Sequence, residues 1–122
     1  MSRKTHRSRS RAHALVFAAL GDPTRLALVA TLSGGELHSI AQLTQSSRLT
    51  RGSRLTRQAI TKHLHVLQHA GVVRCERRGR ESLFAIEPEP LTAAIGYLES
   101  LSEQWDQALD RLKLFVKDKD TH

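Results

Sequence analysis

The last third of the chain carries the pattern that most restricts its fold. Apolar residues recur there in alternating steps of three and four over more than three heptads, at Leu91, Ala94, Leu98, Leu101, Trp105, Ala108, Leu112 and Phe115. This is the a/d spacing of a helix that packs against another helix along one seam. A helix of about 25 residues is about 38 Å long, more than a small core can cover. Part of this a/d stripe is therefore predicted to bury against another subunit.

The remaining composition fits one small domain. The chain has 122 residues, of which 39% are hydrophobic, enough for one modest core. No stretch approaches the roughly 18 apolar residues of a membrane span, so we expect no membrane partner. The single cysteine, Cys75, excludes an intramolecular disulfide and suits a reducing cytosol. Because it falls in a predicted strand, we expect it to be a small buried apolar residue rather than a redox switch.

Charge is divided unequally along the chain. Residues 1–80 hold 15 Lys+Arg and 3 Asp+Glu (+12), whereas residues 81–122 hold 4 and 9 (−5). Such asymmetry indicates that one part faces a polyanion. DNA, RNA and an anionic membrane surface are all polyanions, and charge alone does not choose among them.

Both ends of the chain are predicted to lie outside the folded domain. Residues 1–11 carry five Lys/Arg, no acid and one apolar residue, Met1, so we expect a disordered basic tail. The domain is predicted over residues 12–116, with the long helix at 91–116. Residues 117–122 are expected to be a flexible C-terminus.

Three helices are predicted in the first half of the domain. A short one over Leu15–Leu20 stops at Gly21. A second starts with Asp22 as N-cap and Pro23 at its first position; Leu26, Val29 and Ala30 follow at helical spacing, and Ser33-Gly34-Gly35 ends it. Ser39 begins a third, with Gln42 completing a capping box.

A fourth helix and a hairpin follow. The helix is predicted from Arg57 to about Ala70, with Ile60, Leu64 and Leu67 on one face and Gly71 at its C-terminus. Two strands, Val72–Arg77 and Glu81–Ile86, then flank Arg78-Gly79. We call the fourth helix the recognition helix and the hairpin, residues 72–86, the wing. The predicted fold is mostly α with this small β-hairpin, a winged helix-turn-helix of order α-α-α-α-β-β-α.

The polar face of the recognition helix indicates contact with double-stranded DNA. An α-helix fits the major groove, where Gln pairs with adenine and Arg with guanine, while other basic groups neutralise phosphate. The predicted DNA-binding residues lie on this helix, on the turn before it and on the wing: Arg57, Gln58, Thr61, Lys62 and His65; Arg48, Arg51 and Arg54; Arg77, Arg78 and Arg80.

That turn contains a short duplication. Residues 47–52, SRLTRG, are followed at once by residues 53–58, SRLTRQ. Either Thr50 or Thr56 can cap the recognition helix, although we expect the second copy to do so. The extra residues either add phosphate contacts through Arg48 and Arg51 or misplace the two helices and weaken DNA binding.

Several segments closely resemble the ArsR/SmtB family of bacterial winged-helix repressors. They are LGDPTRL (20–26), LTRQAITKHL (55–64), VLQHAGVVR (66–74), the wing RGR (78–80), QWD (104–106) and RLK (111–113). The resemblance implies a homodimer that binds a palindromic operator, represses its own operon and releases DNA when an inducer binds. It also implies an interface formed by the first and last helices, here Leu15, Leu91, Leu98, Leu101, Trp105, Leu112 and Phe115.

The metal sites of that family have no counterpart in these residues. Family sensors of thiophilic metals carry Cys-x-Cys in the third helix, where this chain has Ser39-Ile40-Ala41-Gln42, and residues 91–121 contain no histidine. A soft-metal site needs thiolate and a zinc site needs His or Cys. His65 and His69 have the i, i+4 spacing of a helical metal pair, but no third ligand is evident. We expect no metal and no cofactor.

The sequence thus predicts a cytoplasmic, nucleoid-associated, sequence-specific DNA-binding regulator and not an enzyme. No Gly-rich phosphate loop, nucleophile elbow or paired metal motif is present. The main alternative is a basic nucleic-acid-binding protein that is blind to sequence. Gln58 and Thr61 separate the two, since phosphate binding needs neither. A third possibility is that the long helix binds a different protein.

Overall fold

The computed structural model describes residues 2–46 and 55–120, with side chains at 11–46 and 55–117. The helices of these ranges are α1 (Ser2–Leu20), α2 (Pro23–Leu32), α3 (Ile40–Thr44), α4 (Arg57–His69) and α5 (Pro88–Asp120). The strands are β1 (His38–Ser39), β2 (Val73–Arg78) and β3 (Glu81–Ile86). Most of the duplicated turn, with Arg48, Thr50, Arg51 and Arg54, lies outside the described residues. This order confirms the predicted mostly helical winged fold.

The first helix is longer than predicted. Residues 1–11 were expected to form a disordered basic tail, but α1 begins at Ser2. Residues 2–12 contain no Gly or Pro, and Arg and Lys are good helix formers. A packed helix at 13–20 can therefore propagate toward the N-terminus even though an apolar stripe is missing there.

The last helix also exceeds its predicted bounds. It starts at Pro88 rather than Leu91 and continues to Asp120, beyond the expected end at residue 116. Pro88 and Pro90 do not break it, because the first turn of a helix needs no backbone N–H donors. Its 33 residues span about 50 Å.

The predicted helix caps are present. Asp22 Oδ2 accepts the backbone N–H of Arg25 at 3.0 Å, and Pro23 follows at the first helical position. Ser39 and Gln42 form the reciprocal capping box, with distances of 3.1 and 2.9 Å. Gly71, at φ 81°, ends α4 in a left-handed conformation while Val72 N–H donates to Leu67 O at 3.0 Å. Local sequence therefore fixes where these helices begin and end.

The sheet has one strand more than the predicted hairpin. Its order is β1-β3-β2 and all pairs are antiparallel, with His38 opposite Phe84 and Val73 opposite Ile86. β1 has two residues, too short for any alternation to indicate it. It ties the start of α3 to the base of the wing.

The core lies where α2, α3 and α4 meet. Its largest fully buried side chains are Leu28, Leu32, Leu43, Ile60, Leu64, Leu67 and Val72. The buried face of α4 is the predicted one. The buried face of α2 differs from the predicted one, which included Leu26. Leu26 is 52% exposed, and Leu28 and Leu32 are buried instead. Seven of the ten residues of α2 are apolar and they surround the helix, so their spacing does not single out one face.

Candidate nucleic-acid interface

The orientation of α4 follows from its buried face. Ile60, Leu64 and Leu67 are all 0% exposed, which turns the opposite side of the helix to solvent. The five predicted DNA-facing residues of this helix lie together there and line one shallow depression of ≈ 500 Å³: Arg57, Gln58, Thr61, Lys62 and His65. Separation of the apolar and polar faces thus creates a compact set of hydrogen-bond donors and acceptors.

Four of these five side chains are exposed; Thr61 is half-buried. Its hydroxyl donates to the carbonyl of Arg57 at 2.7 Å. The Thr61 proton is thus used within the helix, and its oxygen is left to act as an acceptor. Arg57, Gln58 and Lys62 supply further donors on this face, and the His65 imidazole can donate an N–H.

The N-terminus of α4 is set by the second copy of the duplication. Thr56 Oγ1 accepts the backbone N–H of Ala59 at 3.1 Å, as predicted. This hydrogen bond satisfies one of the four N–H groups that lack a partner at the start of a helix. It fixes the first turn, which carries Arg57 and Gln58.

Replacing Thr56 with alanine is expected to lower the free energy of unfolding by about 1 kcal/mol, since the cap bond is lost. Urea unfolding followed by circular dichroism would measure it. Thr31→Ala is a matched control, because Thr31 donates only to Ala27 O within α2 at 2.8 Å. Equal stabilities of the two variants would contradict the capping role.

A polar cluster that sequence reasoning missed holds α4 against α1 and α2. Arg25 Nε donates to Ala19 O at 2.6 Å and Nη2 donates to Ala18 O at 3.3 Å, at the end of α1. Its Nη1 lies 3.4 Å from His63 Nδ1 on α4. Arg25 is three residues after the cap Asp22, but no local pattern shows that its guanidinium reaches back to α1.

Asp22 belongs to the same cluster. The hydrogen bond from the backbone N–H of Arg25 is the main cause of the lowered pKa of the Asp22 carboxyl. The charges of His63 and Arg25 lower this pKa further, by smaller amounts. Asp22 Oδ2 lies 3.9 Å from His63 Nδ1. His63 Nδ1 therefore lies near both Arg25 and Asp22.

The wing carries three exposed arginines at its tip, Arg77, Arg78 and Arg80. Arg78 Nη2 lies 3.4 Å from Glu76 Oε2. Arg74, which was not predicted as a site residue, pairs with Glu76 and, at 2.9 Å, with Glu87. The hydrogen bond from Arg74, with the charges of Arg74 and Arg78, lowers the pKa of Glu76. Arg74 is thus paired with two carboxylates and Arg78 with one, although all three tip arginines are exposed.

Cys75 is exposed, so the prediction of a buried residue is wrong. β2 is an edge strand of the sheet, and its only fully buried residue is Val73. Beyond that residue the side chains of β2 are exposed or half-buried, although Phe84, opposite Cys75 on β3, is buried.

The predicted interface residues are mostly uncovered in the single chain. The exposed fractions are 45% for Leu15, 49% for Leu98, 67% for Trp105, 57% for Leu112 and 58% for Phe115. Leu101 is half-buried, and Leu91 packs partly against the core. Four more exposed apolar residues of α5 lie off the a/d stripe: Ile95, Leu109, Leu114 and Val116.

Two further properties concern metals and membranes. Within residues 11–46 and 55–117, whose side chains are described, no three His, Cys, Asp or Glu side chains are grouped so as to hold a metal ion. No single helix in those ranges is long and apolar enough to cross a bilayer; residues 11–20 and α2 pass the same test only as a pair bent by 98°.

Comparison with known proteins identifies the fold family. A helix-turn-helix domain family matches residues 20–76. An uncharacterized HTH-type transcriptional regulator of Bacillus subtilis, YuzN, is 36% identical over 85 residues, which are 69% of this chain and 92% of that protein. The ArsR-like transcriptional regulator from Rhodococcus sp. RHA1 is 33% identical, with a TM-score of 0.75 over 88% of this chain and 93% of that one. The chain belongs to the ArsR/SmtB family of winged helix-turn-helix regulators.

A second ArsR-family regulator of known structure supports this assignment. It is 31% identical, and the match has a TM-score of 0.65 and covers 80% of this chain and 93% of that one. The protein is therefore a DNA-binding transcriptional regulator, and the matched helix-turn-helix domain, residues 20–76, contains α4.

Proposed function

We propose that this ArsR/SmtB regulator is a cytoplasmic, nucleoid-associated homodimeric repressor that recognises a palindromic operator by sequence. The observation that carries the proposal is the exposed face of α4, which brings together Arg57, Gln58, Thr61, Lys62 and His65. Two copies related by a twofold axis would place their α4 helices in successive major grooves about one turn apart. The proposal assigns no catalytic role to the chain.

Each group has a separate task in this proposal. Gln58 and Arg57 read base edges, because their planar side chains form paired hydrogen bonds with adenine and guanine. Lys62 and the wing arginines Arg77, Arg78 and Arg80 bind phosphate, which sets affinity and register but not sequence. Arg48, Arg51 and Arg54 are assigned to phosphate from the sequence alone.

Self-association is supported by the exposed a/d stripe of α5. Trp105, Leu112 and Phe115 are each more than half exposed in the single chain. Burying a large apolar side chain contributes about 1.5–3 kcal/mol, and each residue of a twofold interface is buried twice. A second copy of α5 offers the same spacing, so the seam can close on itself.

The proposal is tested by replacing Gln58 with alanine. Gln58 is expected to supply about 1–3 kcal/mol of discrimination at one base pair of each half-site, equal to roughly 5- to 150-fold. Fluorescence anisotropy with the native operator and with single-base variants, at several salt concentrations, would measure it. The variant should lose preference at that position and keep its salt dependence, because the phosphate contacts remain.

Gln68→Ala is the matched control, since Gln68 is exposed on α4 but does not line the DNA-facing depression. A wild-type protein that binds operator and scrambled duplex equally would contradict sequence recognition. It would favour the sequence-blind nucleic-acid binder instead.

A further inference from the structure

A second depression, of ≈ 420 Å³, lies between the end of α1, the start of α2 and the C-terminal half of α4. We call it the α1–α4 groove. Its apolar lining includes Leu15, Ala18 and Val66, and its polar lining consists of Arg25, His65 and His69. In the single chain Leu15 and Val66 are 45% and 43% exposed. Leu15 is also a predicted interface residue, so one edge of the groove lies beside the proposed dimer interface.

The polar groups of the groove are all cationic or hydrogen-bond donors. Arg25 is permanently charged, and each imidazole can donate an N–H. Three of the five N–H donors of the Arg25 guanidinium have partners among the described residues, which leaves two for a ligand. No carboxylate is among the residues that line the groove. Asp22, beside Arg25, already accepts its backbone N–H.

We propose that the α1–α4 groove binds a small organic anion with one carboxylate and an apolar chain, and that this anion weakens DNA binding. The carboxylate would accept hydrogen bonds from Arg25, His65 and His69, while the chain lies on Leu15, Ala18 and Val66. The volume falls within the range of small-molecule sites, which are mostly apolar with a few placed polar groups. The regulatory part rests on the proposed function.

His65 provides the coupling between the two sites. It lines the α1–α4 groove and also the DNA-facing depression with Arg57 and Lys62. A carboxylate that binds the His65 imidazole competes with its DNA contact. The same anion also adds negative charge beside the phosphate-binding face, which lowers affinity for DNA. Anion and DNA must then weaken each other's binding to the same degree.

Octanoate is the probe for this site, and isothermal titration calorimetry with the full chain measures its binding. His69→Glu places a like charge in the groove without changing a DNA-facing residue, and we expect octanoate to bind at least about tenfold more weakly. Gln68→Glu makes the same charge change one residue away and outside the lining, so its affinity should stay within about twofold of wild type. Octanol, which has no carboxylate, should bind much more weakly than octanoate.

A second pair of variants tests the apolar part of the groove. Ala18→Leu fills the space over which the chain would lie, whereas Ala14→Leu adds the same bulk to an exposed position of α1 outside the lining. Only Ala18→Leu should reduce octanoate binding. Circular dichroism and light scattering would verify that both variants fold and associate as wild type does.

The outcomes separate the possible occupants. Binding that His69→Glu and Ala18→Leu both weaken, together with a several-fold loss of operator affinity when octanoate is added to wild type, supports the proposal. It is overturned if octanoate does not bind, or if all variants bind it equally, as they would on the exposed stripe of α5. Altered self-association of Ala18→Leu with unchanged octanoate binding would show that a second copy covers the groove.

The two proposals can fail separately. Octanoate binding in the groove with unchanged operator affinity would overturn the regulatory part alone. A wild-type chain that shows no preference for its operator, yet binds octanoate with the expected variant pattern, would contradict the proposed function and leave the binding site standing.

Discussion

Replacing Leu112 with aspartate is expected to convert the protein to a monomer and to lower operator affinity at least about a hundredfold. Leu112 is 57% exposed in the single chain, so the change leaves the core intact. In a twofold interface the change occurs in both copies, so two buried leucines are lost and two carboxylates are placed at the seam. Losing the burial of each leucine costs about 2 kcal/mol, so the two together raise the dimer dissociation constant roughly a thousandfold. Sedimentation velocity over a concentration series and anisotropy with a full operator would measure both effects.

Gln107→Asp is the control for this prediction. Gln107 lies on the same exposed part of α5 but off the a/d stripe, so the same charge should leave association unchanged. Circular dichroism should give the same helix content for both variants. A dimer that survives Leu112→Asp at micromolar concentration would contradict the proposed interface, and a wild-type monomer would favour a different protein as the partner of α5.

Neutralising the arginines at the wing tip is expected to cause a large loss of DNA affinity and a weaker salt dependence. The triple change Arg77→Gln, Arg78→Gln and Arg80→Gln removes three positive charges that extend into solvent. If each binds one phosphate, the slope of log affinity against log salt should become shallower by about 2.7 per protomer. Affinity for specific and scrambled duplexes should fall together, by about a hundredfold or more at low salt, because phosphate contacts carry no sequence information.

Arg74 supplies the control within the same wing. It pairs with Glu76 and Glu87, so Arg74→Gln should change the salt slope far less than the triple variant does. Arg78, which lies 3.4 Å from Glu76, should contribute less than Arg77 or Arg80 when each is changed singly. A slope that the triple change does not alter would exclude the wing from the DNA interface.

Much of the fold could be predicted because it depends on local chemistry. The caps at Asp22, Ser39 and Thr56 involve atoms within three residues of each other. The buried face of α4 follows from the spacing of Ile60, Leu64 and Leu67. The exposed face of α4, which carries the proposed DNA-facing residues, could be predicted for the same reason, since it is what remains of the helix surface.

The predictions that were wrong depend on contacts between distant segments and not on local chemistry. The apolar residues of α2 surround the helix, so the choice of Leu28 over Leu26 depends on which neighbours are packed against it. Cys75 lies in a strand, as predicted, yet it is exposed because β2 is the edge strand of the sheet and Val73 is its one buried residue. Residues 2–12 are helical but carry no apolar stripe, so their sequence pattern did not predict a helix.

For the a/d stripe of α5, some properties follow from the sequence and others only from the tertiary structure. Sequence alone determined its spacing and a length greater than one small core can cover. The tertiary structure decided which part remains exposed: Ala94 is buried, whereas Trp105, Leu112 and Phe115 face solvent. It also decided that Arg25 joins α1 to α4 and that His65 borders two depressions. Spacing along a helix fixes which side chains share a face, but only the packing of distant segments determines what that face meets.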